Sequence, residues 1–354
     1  MTAAMLSYTV RFLCPAFLGN AEQSGQWRTP PFKALLRQWW RVAYAAASGF
    51  DVNVDEMREA EGKLFGAAAD RASNRSRLRI RLDHWNTGAL RKWEPSGPVL
   101  HPEVDSGRNV GSDLYLGYGP LNYERGRGTS LKSNAAIRAG ETASFSIAIA
   151  AKVSQQDVQQ IMTAIALINL YGAIGGRSRN GWGSLALQPS DRTPPLQSPD
   201  TSIQRLWRDA LKLDWPHAIG RDEERPLVWQ MKEAFADWKP AIKRLAEIKI
   251  GLRTHFKFAG PNPPHPRHWL AYPVTNHPVK EWDSQHPPLR LPNSLRFKLR
   301  PDRGQSSKMR GVIFHVPCLP PSMFHPDRRT IVDVWQKVHS YLDQPSHNLS
   351  RILA

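Results

Sequence analysis

The sequence predicts an α+β fold in two units, each carrying long loop insertions. Three observations predict it. The chain has 354 residues, which fits two domains of about 150–180 residues each. Segments with a two-residue apolar period are interspersed with segments of helical period. Residues 188–200 are rich in Pro and Ser and read as a linker, so the predicted units are 1–190 and 201–354.

The elements follow in order. In Ser7–Leu13, Tyr8, Val10 and Phe12 alternate with Thr9 and Arg11, as in a half-buried strand that Pro15 and Gly19 end. Thr29 is the expected cap of a helix whose first turn takes Pro30 and Pro31, where no amide donor is needed. Phe32, Leu35, Leu36, Trp39, Trp40 and Ala43 form its apolar face, and the two tryptophans are assigned to the core. Lys33, Arg37 and Arg41 recur every four residues as a basic stripe beside that face. A second helix is expected over Val54–Leu64. In Arg75–Leu82 the arginines Arg75, Arg77, Arg79 and Arg81 hold the odd positions, and Leu78, Ile80 and Leu82 hold even ones. A strand here places four guanidinium groups on one face. Residues 83–131, rich in Gly, Pro, Trp and Tyr, read as a long insertion.

Ala143–Ala151 reads as a strand with Phe145, Ile147 and Ile149 on one side. Ser154 and Asp157 open a helix as a capping-box-like pair, and Val158, Ile161, Met162, Ile165 and Ile168 supply its buried face. It runs into a glycine-rich loop, Gly172 to Gly183, followed by a short strand. Beyond the linker, helical segments are expected around Ile203–Leu213 and Leu227–Ile250, strands at Leu291–Leu299 and Gly311–Pro317, and a closing helix at Arg328–Leu342. Pro- and His-rich loops fill Gly260–Arg290.

Charge bounds the function. Forty-eight Lys and Arg against 31 Asp and Glu leave a net +17, a field that favours a polyanion, of which nucleic acid is the commonest soluble kind. Cys14 and Cys318 are too few for a zinc site or a disulfide framework, and reduced cytoplasm is the natural compartment. The run Met5–Leu18 is broken by Arg11 and lacks a cleavage pattern, so no signal peptide is expected. No stretch reaches the roughly 18 apolar residues of a membrane span.

The candidate site centres on the glycine-rich loop. Its glycines allow close approach of backbone to a ligand, Arg177 and Arg179 suit phosphate, and Ser178 and Asn180 add hydrogen bonds. It is neither a Walker loop, lacking G-K-[ST], nor a Rossmann fingerprint, because the helix precedes the glycines. Four like charges along the Arg75–Arg81 strand repel one another and call for an anionic partner. Trp182, Tyr115 and Tyr118 lie in Gly-rich segments, where an exposed ring can stack on a base. Catalysis has less support. There is no H-E-x-x-H, no C-x-x-C and no paired Asp cluster, and most of the 12 His, such as His265, His268, His277 and His286, fall in the second half. A metal-independent ribonuclease would need a His or Tyr base with a Lys or Arg, and His84 or His101 near the Arg strand are the candidates.

Three stretches together resemble the RAMP superfamily of CRISPR proteins, and within it the family of subunit one of the type III-B Cmr effector complex. They are Pro15-x-x-x-Gly19 with the Arg28–Arg41 helix; Leu64-Phe65-Gly66 before the basic strand; and Gly175-Gly176-Arg177-Ser178-Arg179-Asn180-Gly181-Trp182-Gly183. They cover roughly residues 5–187. In the second half Arg290–Lys298 and Gly311–Val316 are similar to the family's strand pair, but the second glycine-rich signature is degraded. The resemblance implies tandem ferredoxin-like (RRM-like) domains with antiparallel sheets. It also implies a non-catalytic subunit without cofactor or metal, which contacts guide CRISPR RNA and target RNA near the guide 3′ end and packs on other RAMP subunits of the Cmr complex. The RNA-binding residues expected are Lys33, Arg37, Arg41, Arg75, Arg77, Arg79, Arg81, Gly175, Gly176, Arg177, Ser178, Arg179, Asn180, Gly181 and Trp182. The alternative within the superfamily is a metal-independent endoribonuclease that processes CRISPR RNA.

Overall fold

The computed structural model describes residues 4–67, 75–104 and 107–353. The first half contains β1 (Ala4–Phe12), α1 (Thr29–Ala47), α2 (Val54–Phe65), β2 (Leu78–Leu82), β3 (Pro98–His101), β4 (Arg108–Gly111), α3 (Ser112–Gly117), β5 (Leu121–Glu124), β6 (Gly128–Leu131), β7 (Thr142–Ile149), α4 (Gln155–Tyr171) and β8 (Leu185–Pro189). The second half contains β9 (Gln204–Leu206), α5 (Trp207–Ala210), β10 (Ile219–Arg221), β11 (Val228–Met231), α6 (Trp238–His255), α7 (Lys280–Asp283), β12 (Leu295–Pro301), β13 (Met309–His315), α8 (Arg328–Leu342) and β14 (Leu349–Arg351).

Two four-stranded sheets organise these elements. The first has the order β2-β7-β1-β8 and the second β12-β13-β11-β14, and every pairing in both is antiparallel. With the insertions set aside, each half runs strand–helix–strand–strand–helix–strand, and in each sheet the third and first strands are central. The connectivity repeats although the sequence motifs do not.

The halves stack as four layers: first sheet, α1 with α4, second sheet, α6 with α8. On one side of the helix layer Phe32 packs on Phe145 of the first sheet. On the other side Trp39 and Tyr171 pack on Phe314 of the second, the latter with ring centroids 4.8 Å apart. Val228, Val312 and Val316 belong to the same core as β1 and α4. A helix between two sheets must be apolar on two faces. The α4 sequence satisfies this, with Ile161, Ala164, Ile165, Ala166, Leu167 and Ile168 all buried. The outer helix α8 needs one stripe only, and Ile331, Val334, Trp335, Val338 and Leu342 supply it at helical spacing.

The predicted first strand, basic helix, second helix and Ser154-capped helix all form. Ser154 Oγ accepts the Asp157 amide at 3.1 Å. Three expectations are corrected, and the predicted insertion is itself structured. Arg28, not Thr29, is the N-cap of α1, and its side chain makes no capping bond. Residues 83–131, of which 105 and 106 lie outside the described residues, are not featureless. They fold as the hairpins β3–β4 and β5–β6 around α3. In Ile203–Leu213 only Trp207–Ala210 is α-helical, and Leu227–Ile250 opens with strand β11 before α6 begins. Val228–Met231 is buried between two helical layers, and a short apolar run buried on both faces has no two-residue period to reveal it as a strand.

Candidate nucleic-acid interface

The glycine-rich loop sits where the halves meet. It leaves α4 at Gly172 and folds back so tightly that side chains are excluded at two points. A Cβ on Gly175, at φ +94°, would stand 2.6 Å from the Phe17 carbonyl oxygen, and one on Gly183 would overlap the Ile174 carbonyl. The returning segment runs beside β12. Phe297 N donates to Arg179 O at 3.0 Å, and Leu299 N donates to Ser184 Oγ at 2.9 Å. The loop thereby covers the edge of the second sheet, which would otherwise expose unpaired backbone groups.

The apex carries the predicted contact residues. Arg177 and Arg179 are exposed and Ser178 partly so. Arg177 has φ +58°, and its Nε donates to Tyr118 O at 2.6 Å, which ties the apex to the first-half insertion. Asn180 and Trp182 differ from expectation. Asn180 is buried; its Nδ2 donates to Leu116 O at 2.7 Å and its Oδ1 accepts from Lys249 Nζ at 2.6 Å. Trp182 is fully buried among Phe17, Trp93 and Trp238, so its ring is not available to a base. A Trp flanked by glycines is a knob that a tight backbone allows to enter the core. Tyr118 is 66% exposed and Tyr115 only partly exposed.

Cations crowd this seam. Burial first, then the charges of Arg253 and Arg177, lowers the Lys249 pKa to about 7. Arg177 is likewise lowered by burial and then by Arg290. Cations that depress one another in this way leave a field that an anion relieves.

Arg79 and Arg81 are exposed on β2, an edge strand of the first sheet, opposite Ala148 and Ser146 of β7. Helices cover the Leu78 and Leu82 side. The open side continues through Ser7 and Thr9 to Arg11, and Ser7 Oγ lies 3.3 Å from Ser146 Oγ. Arg75 and Arg77 precede the first strand residue, Leu78, although Arg77 O still accepts the Ala150 amide at 3.0 Å, so Arg79 and Arg81 are the two arginines within the strand. The α1 stripe is also divided. Arg37 Nε and Arg41 Nη2 both bind the buried Glu61 of α2, at 2.7 and 2.9 Å, so these two arginines join α1 to α2. Lys33 stays partly exposed one turn earlier.

Sequence reasoning missed a set of buried cations. Arg296, Lys298 and Arg300 project from β12 into the layer of α1 and α4, the latter two toward the C-terminus of α4. Lys298 Nζ donates to Ile168 O at 3.0 Å and to Asn169 O at 2.6 Å, and Arg300 Nε donates to Leu170 O. Arg296 and Arg300 also lie over the rings of Trp39 and Tyr171. Lys298 and Arg300 satisfy last-turn carbonyls at the negative end of the helix dipole. The Arg-x-Lys-x-Arg alternation was a signal in the sequence, of the same kind as Arg77–Arg81.

Of the histidines, His84 is part-exposed, with Nε2 3.3 Å from Thr142 O. His101 is buried, and its Nδ1 accepts the Glu103 amide at 3.3 Å. Its ring is 5.7 Å from that of Tyr115, and burial lowers its pKa. His265, His268 and His277 gather around Phe258, and His286 hydrogen-bonds Ser284 O. Among the described residues no three His, Cys, Asp or Glu are grouped to hold a metal, and no helix is long and apolar enough to cross a membrane.

Comparison with known proteins bears on this geometry. No curated protein sequence matches the chain. Among solved structures, the chain is similar to apo Cmr1 from Pyrococcus furiosus, with 13% identity and a TM-score of 0.48, covering 99% of each chain. It is also similar to a chain of the type III-B Cmr-beta complex bound to cognate target RNA and AMPPnP. There the identity is 11% and the TM-score 0.49, over 96% of this chain and 100% of that one. A chain of a type IV-B CRISPR complex is similar over 56% of this chain and 95% of its own, with 13% identity and a TM-score of 0.33. The family model of the RAMP superfamily matches residues 9–186, from β1 through the glycine-rich loop to β8 and half of the chain's length, and by that match the chain belongs to the RAMP superfamily.

Proposed function

We propose that this protein is a non-catalytic, cytoplasmic RNA-binding subunit of a type III-B CRISPR (Cmr) effector complex. In this reading it contacts guide and target RNA near the guide 3′ end and packs on other RAMP subunits. The halves are tandem ferredoxin-like domains, 1–190 and 201–354. The observation that carries the RNA contact is the exposed apex Arg177-Ser178-Arg179 on a seam where Lys249, Arg253 and Arg290 also gather. Arginine, lysine and hydroxyl donors of this kind hold phosphate oxygens. Arg79, Arg81 and Arg11 add exposed cations on the open face of the first sheet. The narrower Cmr assignment is supported by the three motif stretches that lie within the matched region.

The grouping of His101 with Tyr115 and Arg267 favours a second reading, a metal-independent RNA-processing endoribonuclease. Because His101 Nδ1 accepts an amide N–H, a neutral His101 carries its proton on Nε2, which makes it a donor and not the base such a reaction needs. The two readings separate in one titration of the full chain with single-stranded RNA at two salt concentrations, with and without magnesium, resolved on a denaturing gel. Salt-sensitive binding with intact RNA supports the subunit reading. Cleavage at a fixed position without metal would replace it by the endoribonuclease.

A further inference from the structure

The insertion contains an open cleft of about 480 Å³ between the β5–β6 hairpin and the segment 91–93. Arg91 and Lys92 lie on one wall and Arg127 on the other. Thr129 and Asn134 add a hydroxyl and an amide to the lining, where Ser130 Oγ already donates to Asn122 Oδ1 at 2.8 Å, and the described lining residues include no carboxylate. Arg91 Nη1 donates to Gly88 O at 2.7 Å, and Arg91 and Lys92 are both exposed. Arg127 pairs with Glu124 at 3.2 Å, but its side chain is 83% exposed, and a pair so solvated is weak enough to exchange for another anion.

The walls are anchored. Trp93 Nε1 donates to Asp113 Oδ2 at 2.6 Å, and its ring packs on Trp182 and Trp238, the aromatic cluster behind the glycine-rich loop. Leu121, at the base of the hairpin, is fully buried. A site on rigid supports holds its donors in place before a ligand arrives.

Cations on both walls with neutral donors between them fit a chain of phosphates. The ring in the described lining, Trp93, is partly exposed but is packed on Trp182 and Trp238 and tied to Asp113, so contacts would go chiefly to backbone phosphate and sugar, which carry no sequence information. We infer that this cleft holds the sugar–phosphate backbone of a single-stranded RNA, as a contact separate from the glycine-rich loop. The inference deepens the RNA-binding reading and rests on it.

The test uses the full chain and single-stranded RNA of two unrelated sequences, titrated across salt. Variants are Arg91→Glu with Lys92→Glu, and, as a milder change, Asn134→Ala with Thr129→Val. Arg177→Ala with Arg179→Ala reports on the glycine-rich loop. The charge-reversed cleft should bind both RNAs at least about tenfold more weakly, with a log–log salt slope shallower by about 0.7 for each phosphate no longer bound. The milder pair should weaken both sequences equally, with an unchanged melting temperature. Wild-type affinity in the folded charge-reversed variant overturns the inference and leaves the RNA reading standing if the Arg177/Arg179 variant is weakened. No RNA binding by the wild-type chain overturns both. A further arm adds inorganic phosphate. If phosphate raises the melting temperature of the wild type but not of the charge-reversed variant, while RNA affinity is the same in both, the cleft is a free-phosphate site and the inference fails.

Discussion

Strands β2 and β12 occupy the same place in the two halves: each is the second strand of its unit and the edge of its sheet. Both alternate cations with apolar residues, Arg79 and Arg81 in one, Arg296, Lys298 and Arg300 in the other. In both, the apolar residues face the unit's own helices and the cations face the opposite side. Their fates differ because of what lies on that side. The open face of the second sheet is covered by α1 and α4, so the β12 cations are buried against helix carbonyls and aromatic rings. Burial lowers the Arg296 pKa to about 9 and the Lys298 pKa well below its usual value. Among the described residues the open face of the first sheet has no such cover, and Arg79 and Arg81 remain exposed. An alternating basic strand therefore announces a charged face but not its partner, which the stacking of layers decides.

Several substitutions probe this difference. The largest effect is expected at β12. Lys298→Glu would set a buried carboxylate against two carbonyls at the negative end of α4, and should cost about 4 kcal/mol or more in urea unfolding. Lys298→Met keeps the volume but leaves those carbonyls unpaired, for a loss of about 2 kcal/mol. If Lys298→Met were neutral, pairing with these carbonyls would contribute nothing to stability. Trp182→Ala should cost about 3–5 kcal/mol, because it empties the aromatic cluster between the halves. A Trp182→Ala protein with unchanged stability but weakened RNA binding would instead restore the base-stacking role expected from sequence.

Acid should act through buried histidines of the second half. His315 and His339 are buried, 3.0 Å apart between Nδ1 and Nε2, and burial holds both pKa values below normal, His339 at about 3. The unfolded chain takes up these protons near pH 6.5 and the folded chain does not. The stabilisation from His339 is thus complete above about pH 6.5 and declines as pH falls toward about 3, by up to about 1.4 kcal/mol per pH unit, and that from His315 is lost in the same direction. His339→Phe should flatten the measured dependence of unfolding free energy on pH over that window. The smallest change in stability, within about 0.5 kcal/mol, is expected for Arg79→Ala with Arg81→Ala, which should nevertheless weaken RNA binding measurably.

Much of the first half was legible from its residues. β1, α1, α4 and the glycine-rich loop each carry a local signature: two-residue alternation, Pro in the first turn, a Ser cap, clustered glycines. The helix–strand order around that loop was legible too. The second sheet was half hidden, because β11 is four residues buried on both sides and β14 only three. At the candidate site, the sequence pointed to Arg177, Ser178 and Arg179, which the fold leaves exposed or, for Ser178, partly exposed. It could not tell them from Asn180 and Trp182, which the same loop turns inward. Nor could it see that Glu61, 20 residues from Arg41, would bind two arginines of the basic stripe. Burial of a polar residue is set by what a distant segment brings, and no local period records that.

The most direct test of the central claim is the salt dependence of single-stranded RNA affinity for the wild-type chain beside Arg177→Ala with Arg179→Ala. The account predicts tight binding that weakens linearly on a log–log plot as salt rises. The double variant should bind more weakly, with a slope shallower by about 0.7 per phosphate no longer bound and with wild-type unfolding. Equal affinity and equal slope in a folded double variant would contradict it, and the exposed apex of the glycine-rich loop would then not be where this protein meets RNA.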